Sequence, residues 1–414
     1  MSRNDDEKKD YNLYTEQIVK ESDRRSESKK RIRLFIIIII IIGAALFCIF
    51  ALPGIIRRAN QMINAGYSEI TLNSGEAPSD EEINMLVENS GNNSGGTVSY
   101  EEALSSMQER VADIRKSVVT VTTRNNSITE VFNDDKGVEA RPGIVIGKTK
   151  TRLVILTFSK TVDEEKPVVI KVDDTKRIQG TYLSENEATG LALVSVKISD
   201  FEQQGIQMPE VVAIGTSDNV LQGASVIAFG DLKGNKDSVD FGIVSGTGDA
   251  DIPDFVYKRI NTSVSGGDDY GFLFNSRGSF LGVSAPNDSS DTFSALGIDS
   301  LKKLIETMSN GKKIPYAGII GKDITDELSD EYNLPKGVYV NSVAMDSPAF
   351  KAGIQAGDII TAVQSEEILS LDNFSDKLYN YASGQTVKME IRRQGNNEYR
   401  KINFNVTLSD GRKQ

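Results

Sequence analysis

The chain has 414 residues, enough for two or three domains with cores of their own. It contains no histidine, and its single cysteine, Cys48, lies in an apolar run. That excludes an imidazole-based triad, a histidine-ligated zinc site and an intramolecular disulfide, while a net charge of −12 argues against a nucleic-acid-binding surface. No motif calls for a metal or a cofactor.

Residues 1–33 mix both charge signs without apolar periodicity and read as a flexible cytoplasmic tail. Residues 34–56, "LFIIIIIIIGAALFCIFALPGII", carry no charge and as a helix are long enough to span a bilayer core of about 30 Å. The long charged lead and the lack of a small-residue cleavage site predict a retained signal anchor rather than a signal peptide. Lys20, Arg24, Arg25, Lys29, Lys30, Arg31 and Arg33 precede the span, and only Arg57 and Arg58 follow it closely. The positive-inside bias keeps the N-terminus cytoplasmic and places the bulk of the chain on the extracytoplasmic face. Residues 57–99, rich in Ser, Asn, Gly and acids towards their end, read as a stalk.

A helix is predicted over "YEEALSSMQERVADIRKS", followed by "VVTVTT" as a strand. To about residue 298 the chain then alternates short strands with turns: "GIVIGKTKTRLVILTF", "KPVVIKVDD", "IQGTYLSE", "LALVSVKI", "GASVIAFG" and "FGIVSG". On pattern alone this is an all-β barrel or sandwich. In "DSLKKLIETMSNG", Leu301, Leu304, Ile305 and Met308 fall on one helical face, and Asn310-Gly311 supplies the stop. The last hundred residues read as a separate α+β unit. It has strands at "YAGIIG", "GVYVNSV" and "AGDIITAV", and a short helix "SPAFKAG". A helix "LDNFSDKLYNYASG" with Phe374, Leu378 and Tyr381 on one face follows, then a closing hairpin around Gly395-Asn396-Asn397.

The order of these segments resembles the HtrA/Deg family of trypsin-like serine proteases, whose double β-barrel protease domain is followed by a connecting helix and a PDZ domain. "GVYVNSVAMDSPAFKAGIQAGDIITAVQ" is similar to the family's Gly-Val-x-Val…Ser-Pro-Ala…Ala-Gly-x-x-x-Gly-Asp-Ile-Ile run. "VIAFGDLKGNKDSVDFGIVSG" and "FLFNSRGSFLGV" are similar to strand pairs of its protease domain. The expected architecture is therefore mainly β: a single N-terminal transmembrane helix, a trypsin-like domain over 100–311 and a PDZ domain over 312–410.

Aligned without gaps, the family's histidine falls on Lys160 in "VILTFSKTV", its acid on Gly190 in "ATGLALVSVKI" and its serine on Asp269 in "GDDYGFLF". Tyr270 stands where the family has a glycine of the oxyanion region. No catalytic residue is then expected. Two other readings stay open: "VSGG" at 264–267 offers Ser265 as a displaced nucleophile with Lys160 as base, and Lys160 and Asp269 form an ion pair or two solvated charges. For the PDZ part, the resemblance implies capture of a C-terminal or extended peptide by β-strand addition. The family's carboxylate loop corresponds to Tyr316, Ala317, Gly318 and Ile319, followed by Ile320, with Phe374 and Leu378 on the opposite wall. The expectation is a membrane-anchored, catalytically inactive peptide-binding protein, not an enzyme. The alternatives are an active serine endopeptidase of extracytoplasmic protein quality control, and a structural assembly protein. The family's habit of trimerising implies a homotrimer.

Overall fold

The computed structural model describes residues 100–123, 140–173, 175–266, 269–285, 291–396 and 398–411. The expected tail (1–33), membrane anchor (34–56) and stalk (57–99) lie outside them. No helix among the described residues is long and apolar enough to cross a membrane.

After helix α1 (Tyr100–Arg115), twelve strands form two closed six-stranded barrels. The first contains β1 (Val118–Thr123), β2 (Arg141–Lys148), β3 (Arg152–Phe158), β4 (Val168–Lys171), β5 (Arg177–Asn186) and β6 (Leu191–Lys197), in the order β1-β2-β3-β6-β5-β4. A short helix α2 (Ile198–Gln204) follows. The second barrel contains β7 (Ser225–Leu232), β8 (Asn235–Ala250), β9 (Tyr257–Ser265), β10 (Tyr270–Asn275), β11 (Phe280–Ser284) and β12 (Thr292–Gly297), in the order β10-β11-β12-β9-β8-β7.

Strand β3 shows why "RLVILTF" is a continuous apolar run. Leu153 and Ile155 belong to the core inside the first barrel, while Val154, Leu156 and Phe158 belong to the apolar layer outside it. Strand β6 divides in the same way: Ala192 and Val194 face inward, Leu191 and Leu193 outward. Both faces are covered, so alternation with polar residues disappears. The outer layer continues into Phe229, Phe272, Phe274 and Phe280 of the second barrel, whose own interior holds Val226, Ala228, Leu273 and Leu281.

Helix α3 (Ile298–Ser309) buries Leu301, Leu304, Ile305 and Met308 completely in this layer. At about 1.5–3 kcal/mol per fully buried large aliphatic side chain, this face is the main reason the helix stays docked. It ends at Asn310, and Gly311 takes the left-handed conformation expected of a stop.

The C-terminal unit is a twisted antiparallel sheet of β14 (Ile319–Asp323), β15 (Val338–Val343), β16 (Ile359–Val363), β18 (Thr386–Gln394) and β19 (Tyr399–Thr407), with β17 (Glu366–Glu367) beside β16. A small pair, β13 (Pro315–Tyr316) with β20 (Ser409–Asp410), closes its base. Helices α4 (Asp326–Tyr332), α5 (Pro348–Ala352) and α6 (Leu371–Leu378) connect the strands. Each has a side-chain N-cap, from Thr325, Ser347 and Ser370 respectively. Helix α6 ends at Leu378, so Tyr381 lies beyond it rather than on its face.

Candidate functional site

Strand β13 ends at Tyr316 and β14 begins at Ile319, which leaves Ala317 and Gly318 as a sharp turn. Gly318 has φ +87, and a Cβ there would lie 2.2 Å from the Cβ of Ser347, so the backbone approaches α5 as only glycine permits. On that side the carbonyls of Ala317 and Gly318 accept hydrogen bonds from the amides of Ala349 (2.9 Å) and Ala344 (2.8 Å). The N–H groups of Ala317, Gly318 and Ile319 therefore point together to the opposite side, forming a concave site for an anion. Helix α6 lies against β14, with Phe374 and Leu378 completely buried and Ile320 partly buried. The structure thus brings Tyr316, Ala317, Gly318, Ile319, Ile320, Phe374 and Leu378 into one neighbourhood.

The three amides converge on a carboxylate. Asp254, in the connection between β8 and β9, is wholly buried. Its Oδ2 accepts from Ala317 N (2.7 Å) and Gly318 N (2.8 Å), and its Oδ1 accepts from Gly318 N (3.0 Å) and Ile319 N (2.8 Å). Its own N–H donates to Ile319 O at 2.7 Å. Its carbonyl accepts from the Ser375 hydroxyl of α6 at 2.8 Å. Burial pushes the Asp254 carboxyl up to about 6, with the backbone N–H bonds pulling the other way. The chain then passes through Phe255, whose ring packs 4.5 Å from Tyr379. Asp254, Phe255 and Ser375 were missed from the sequence. "DADIPDFVY" has no local periodicity, and the contact joins residues 63–65 positions apart.

The other expected positions are divided between the two barrels, Lys160 and Gly190 on the first and Asp269 and Ser265 on the second. Lys160 sits in a 3₁₀ turn, Ser159–Thr161, directly after β3. It is exposed and lines a polar cleft of about 340 Å³ with Thr123, Asp163, Glu164, Lys166 and Glu185. Gly190 closes the β5–β6 turn with φ +70, and its carbonyl accepts from Ser159 N at 2.9 Å, so these two positions are neighbours. Asp269 is buried at the start of β10. Its Oδ1 accepts from Lys233 N (2.7 Å), and a Cβ at Gly266 would lie 2.8 Å from its Oδ2. Among the described residues no salt bridge joins Lys160 to Asp269; the Asp269 carboxylate caps the β7–β8 turn instead. Tyr270 stacks edge-on against Phe158 (5.0 Å), and the Arg141 guanidinium lies 4.1 Å from the centre of its ring. Ser265 is exposed at the end of β9, opposite Thr292.

Residues 142–283 match the trypsin-like peptidase domain family, and residues 298–406 match the PDZ domain family. A Bacillus subtilis protein named serine protease Do-like HtrA is 26% identical over 335 residues, covering 73% of each chain. Both matched domains, and their order, are thus similar to those of HtrA-type proteins. A Synechocystis protein named putative serine protease HhoA is 32% identical over 235 residues, 52% of this chain and 58% of that relative. A solved HtrA-type protease, AlgW with a tripeptide, superposes with a TM-score of 0.50 at 18% identity over 73% of this chain and 96% of its own, a likeness of fold. A probable periplasmic serine endoprotease DegP-like from Pseudomonas putida is matched over 54% of its length, so this chain spans little more than half of some of its curated relatives.

These relatives correct one expectation. The sequence leads one to expect a protein that is not an enzyme. The curated proteins it matches are named serine proteases or endoproteases, which points to a protease.

Proposed function

We propose that this HtrA-like protein captures C-terminal or extended peptide segments of protein partners through its PDZ domain. The groove runs between Tyr316–Ile320 and helix α6, with Ala317, Gly318 and Ile319 holding the carboxylate and Phe374 and Leu378 behind the groove wall. The observation that carries this reading is the convergence of three backbone N–H groups on one carboxylate, beside a strand carbonyl that accepts a backbone N–H. Residues 34–56 anchor the chain, with the PDZ domain extracytoplasmic; the uncharged run and the basic residues before it support that placement. The test is a titration of the purified full-length chain with fluorescein-labelled peptides ending in a free carboxylate or in an amide. Binding of the acids alone is expected. Equal binding of amides would refute capture through this loop.

A second reading, serine endopeptidase activity, is favoured by the names of the relatives. Lys160, Gly190 and Asp269 stand at the positions that the gapless alignment gives to the triad. The chain has no histidine, so a peptidase step in it needs a base other than imidazole. Ser265, exposed at the end of β9, is then the nucleophile to test and Lys160 the base. Fluorophosphonate labelling that is abolished by Ser265→Ala supports this reading. Absence of labelling in the full-length chain counts against it.

A further inference from the structure

The Asp254 contacts reproduce, bond for bond, what a peptide C-terminus requires of a PDZ groove. A terminal residue places both carboxylate oxygens on the loop amides and donates its own N–H to the first carbonyl of the adjoining strand. Asp254 places both side-chain oxygens on Ala317, Gly318 and Ile319 and donates its N–H to Ile319 O. A terminal residue has no onward chain. Asp254 has one, and its carbonyl is turned aside to the Ser375 hydroxyl of α6 while Phe255 leaves under Tyr379.

We propose that residues 252–255 are an internal ligand of the PDZ groove, in which the Asp254 side chain stands in for the α-carboxylate of a peptide C-terminus, so that an incoming C-terminus binds only by displacing it. This rests on the reading of the groove as a carboxylate site given above. The physical signs of a replaceable occupant are all at Asp254. It is a fully buried carboxylate held by backbone amides, with no salt bridge to a cationic side chain among the described residues, and a buried charge without a counter-charge is costly. Its backbone sits at φ +68, a conformation that strains a residue other than glycine. Burial raises its carboxyl above the ordinary range. A purely structural contact between a barrel loop and the PDZ domain is made more cheaply by apolar side chains. Release returns the carboxylate to water and relieves the backbone, which offsets part of the lost hydrogen bonding.

Displacement follows population arithmetic. A tethered occupant acts at an effective concentration in the millimolar range, and the apparent affinity of a competing peptide falls in proportion to the fraction of molecules with an open groove. The peptide class is one that presents a free α-carboxylate on an extended backbone following an apolar residue, as Ile252-Pro253 precede Asp254 here.

The test has two readouts on the full-length chain. The first is amide hydrogen exchange. The amides of Ala317, Gly318 and Ile319 are expected to be protected in the unliganded wild type and to lose that protection in Asp254→Gly, which keeps the left-handed backbone unstrained. Fast exchange of these amides in the wild type overturns the proposal without any variant. The second is binding of a probe that copies the occupant's sequence up to its last residue, fluorescein-Ala-Asp-Ile-Pro-Val with a free carboxylate. We expect at least tenfold tighter binding to Asp254→Gly than to the wild type, with an intermediate value for Asp254→Asn in case the glycine variant fails to fold. Equal affinity for all three proteins overturns the internal ligand but leaves peptide capture standing. Protection lost in Asp254→Gly, with neither this probe nor the acid peptides above bound by any variant, upholds the internal contact and removes the reading of the groove as a peptide site.

Discussion

Replacing Gly318 with alanine probes the groove where its geometry is tightest. The residue sits at φ +87, and an added Cβ would meet Ser347 Cβ at 2.2 Å and Ser347 Oγ at 2.7 Å. Left-handed backbone costs a residue with a Cβ about 1–2 kcal/mol. The overlap with Ser347 is more than ~1 Å inside ordinary contact, and relieving such overpacking costs a further ~1–3 kcal/mol. Gly318→Ala is therefore expected to destabilise the PDZ domain by about 2–5 kcal/mol, read by urea unfolding of the full-length chain. The two parts are separable. Ser347→Gly removes both obstructing atoms at the cost of the α5 N-cap bond to Phe350 N, a few tenths of a kcal/mol on replacement by glycine. The double variant should recover the steric part and retain the backbone part, giving a coupling of at least ~1 kcal/mol. A loss below ~0.5 kcal/mol in the single variant, or no recovery in the double, would refute the close approach of the loop to α5.

Three further outcomes are expected. The Asp254 carboxyl is raised to about 6 when buried and falls to the ordinary 3.8 when exposed. Its contribution to stability is thus full below pH 4 and lost as the pH rises through 6. The wild type should lose about 2 kcal/mol relative to Asp254→Asn between pH 4 and 7. The phenols of Tyr257, Tyr316 and Tyr379 are all pushed upward and do not titrate in this window, so parallel pH profiles would contradict the burial of Asp254. Arg393 holds the completely buried Asp358 through Nε (2.6 Å) and an NH2 group (2.7 Å), so Arg393→Met should cost about 3 kcal/mol in denaturant unfolding, and Asp358→Asn in the same chain should restore part of it. Leu304→Ala, in the fully buried face of α3, should cost about 2–5 kcal/mol, and a loss under 1 kcal/mol would mean that the layer it joins is loose.

Much of the fold was legible because its signals are local. The apolar runs of β3 and β6 and the helical spacing of Leu301, Leu304, Ile305 and Met308 all appear where the sequence puts them. Two short helices escaped for want of such a signal: α2 buries only Phe201, and α4 buries nothing. The turn from Tyr316 to Ile319 was readable, since its glycine answers a backbone need. What fills it was not readable, because an aspartate in "DADIPDFVY" looks like any surface acid until the fold carries it into the groove. In the same way Asp269 could not be assigned to Lys233 N rather than to Lys160, since that choice depends on the course of the β7–β8 turn.

A groove that already holds a carboxylate changes the question that a partner is asked. Recognition becomes an exchange between two occupants, and a peptide is weighed against Asp254 rather than against water. Weak C-termini, however abundant, then fall below a threshold set inside the chain, and only sequences whose side chains add contacts of their own rise above it. A PDZ fragment cut away from the barrels lacks that threshold and would accept ligands that the intact protein refuses.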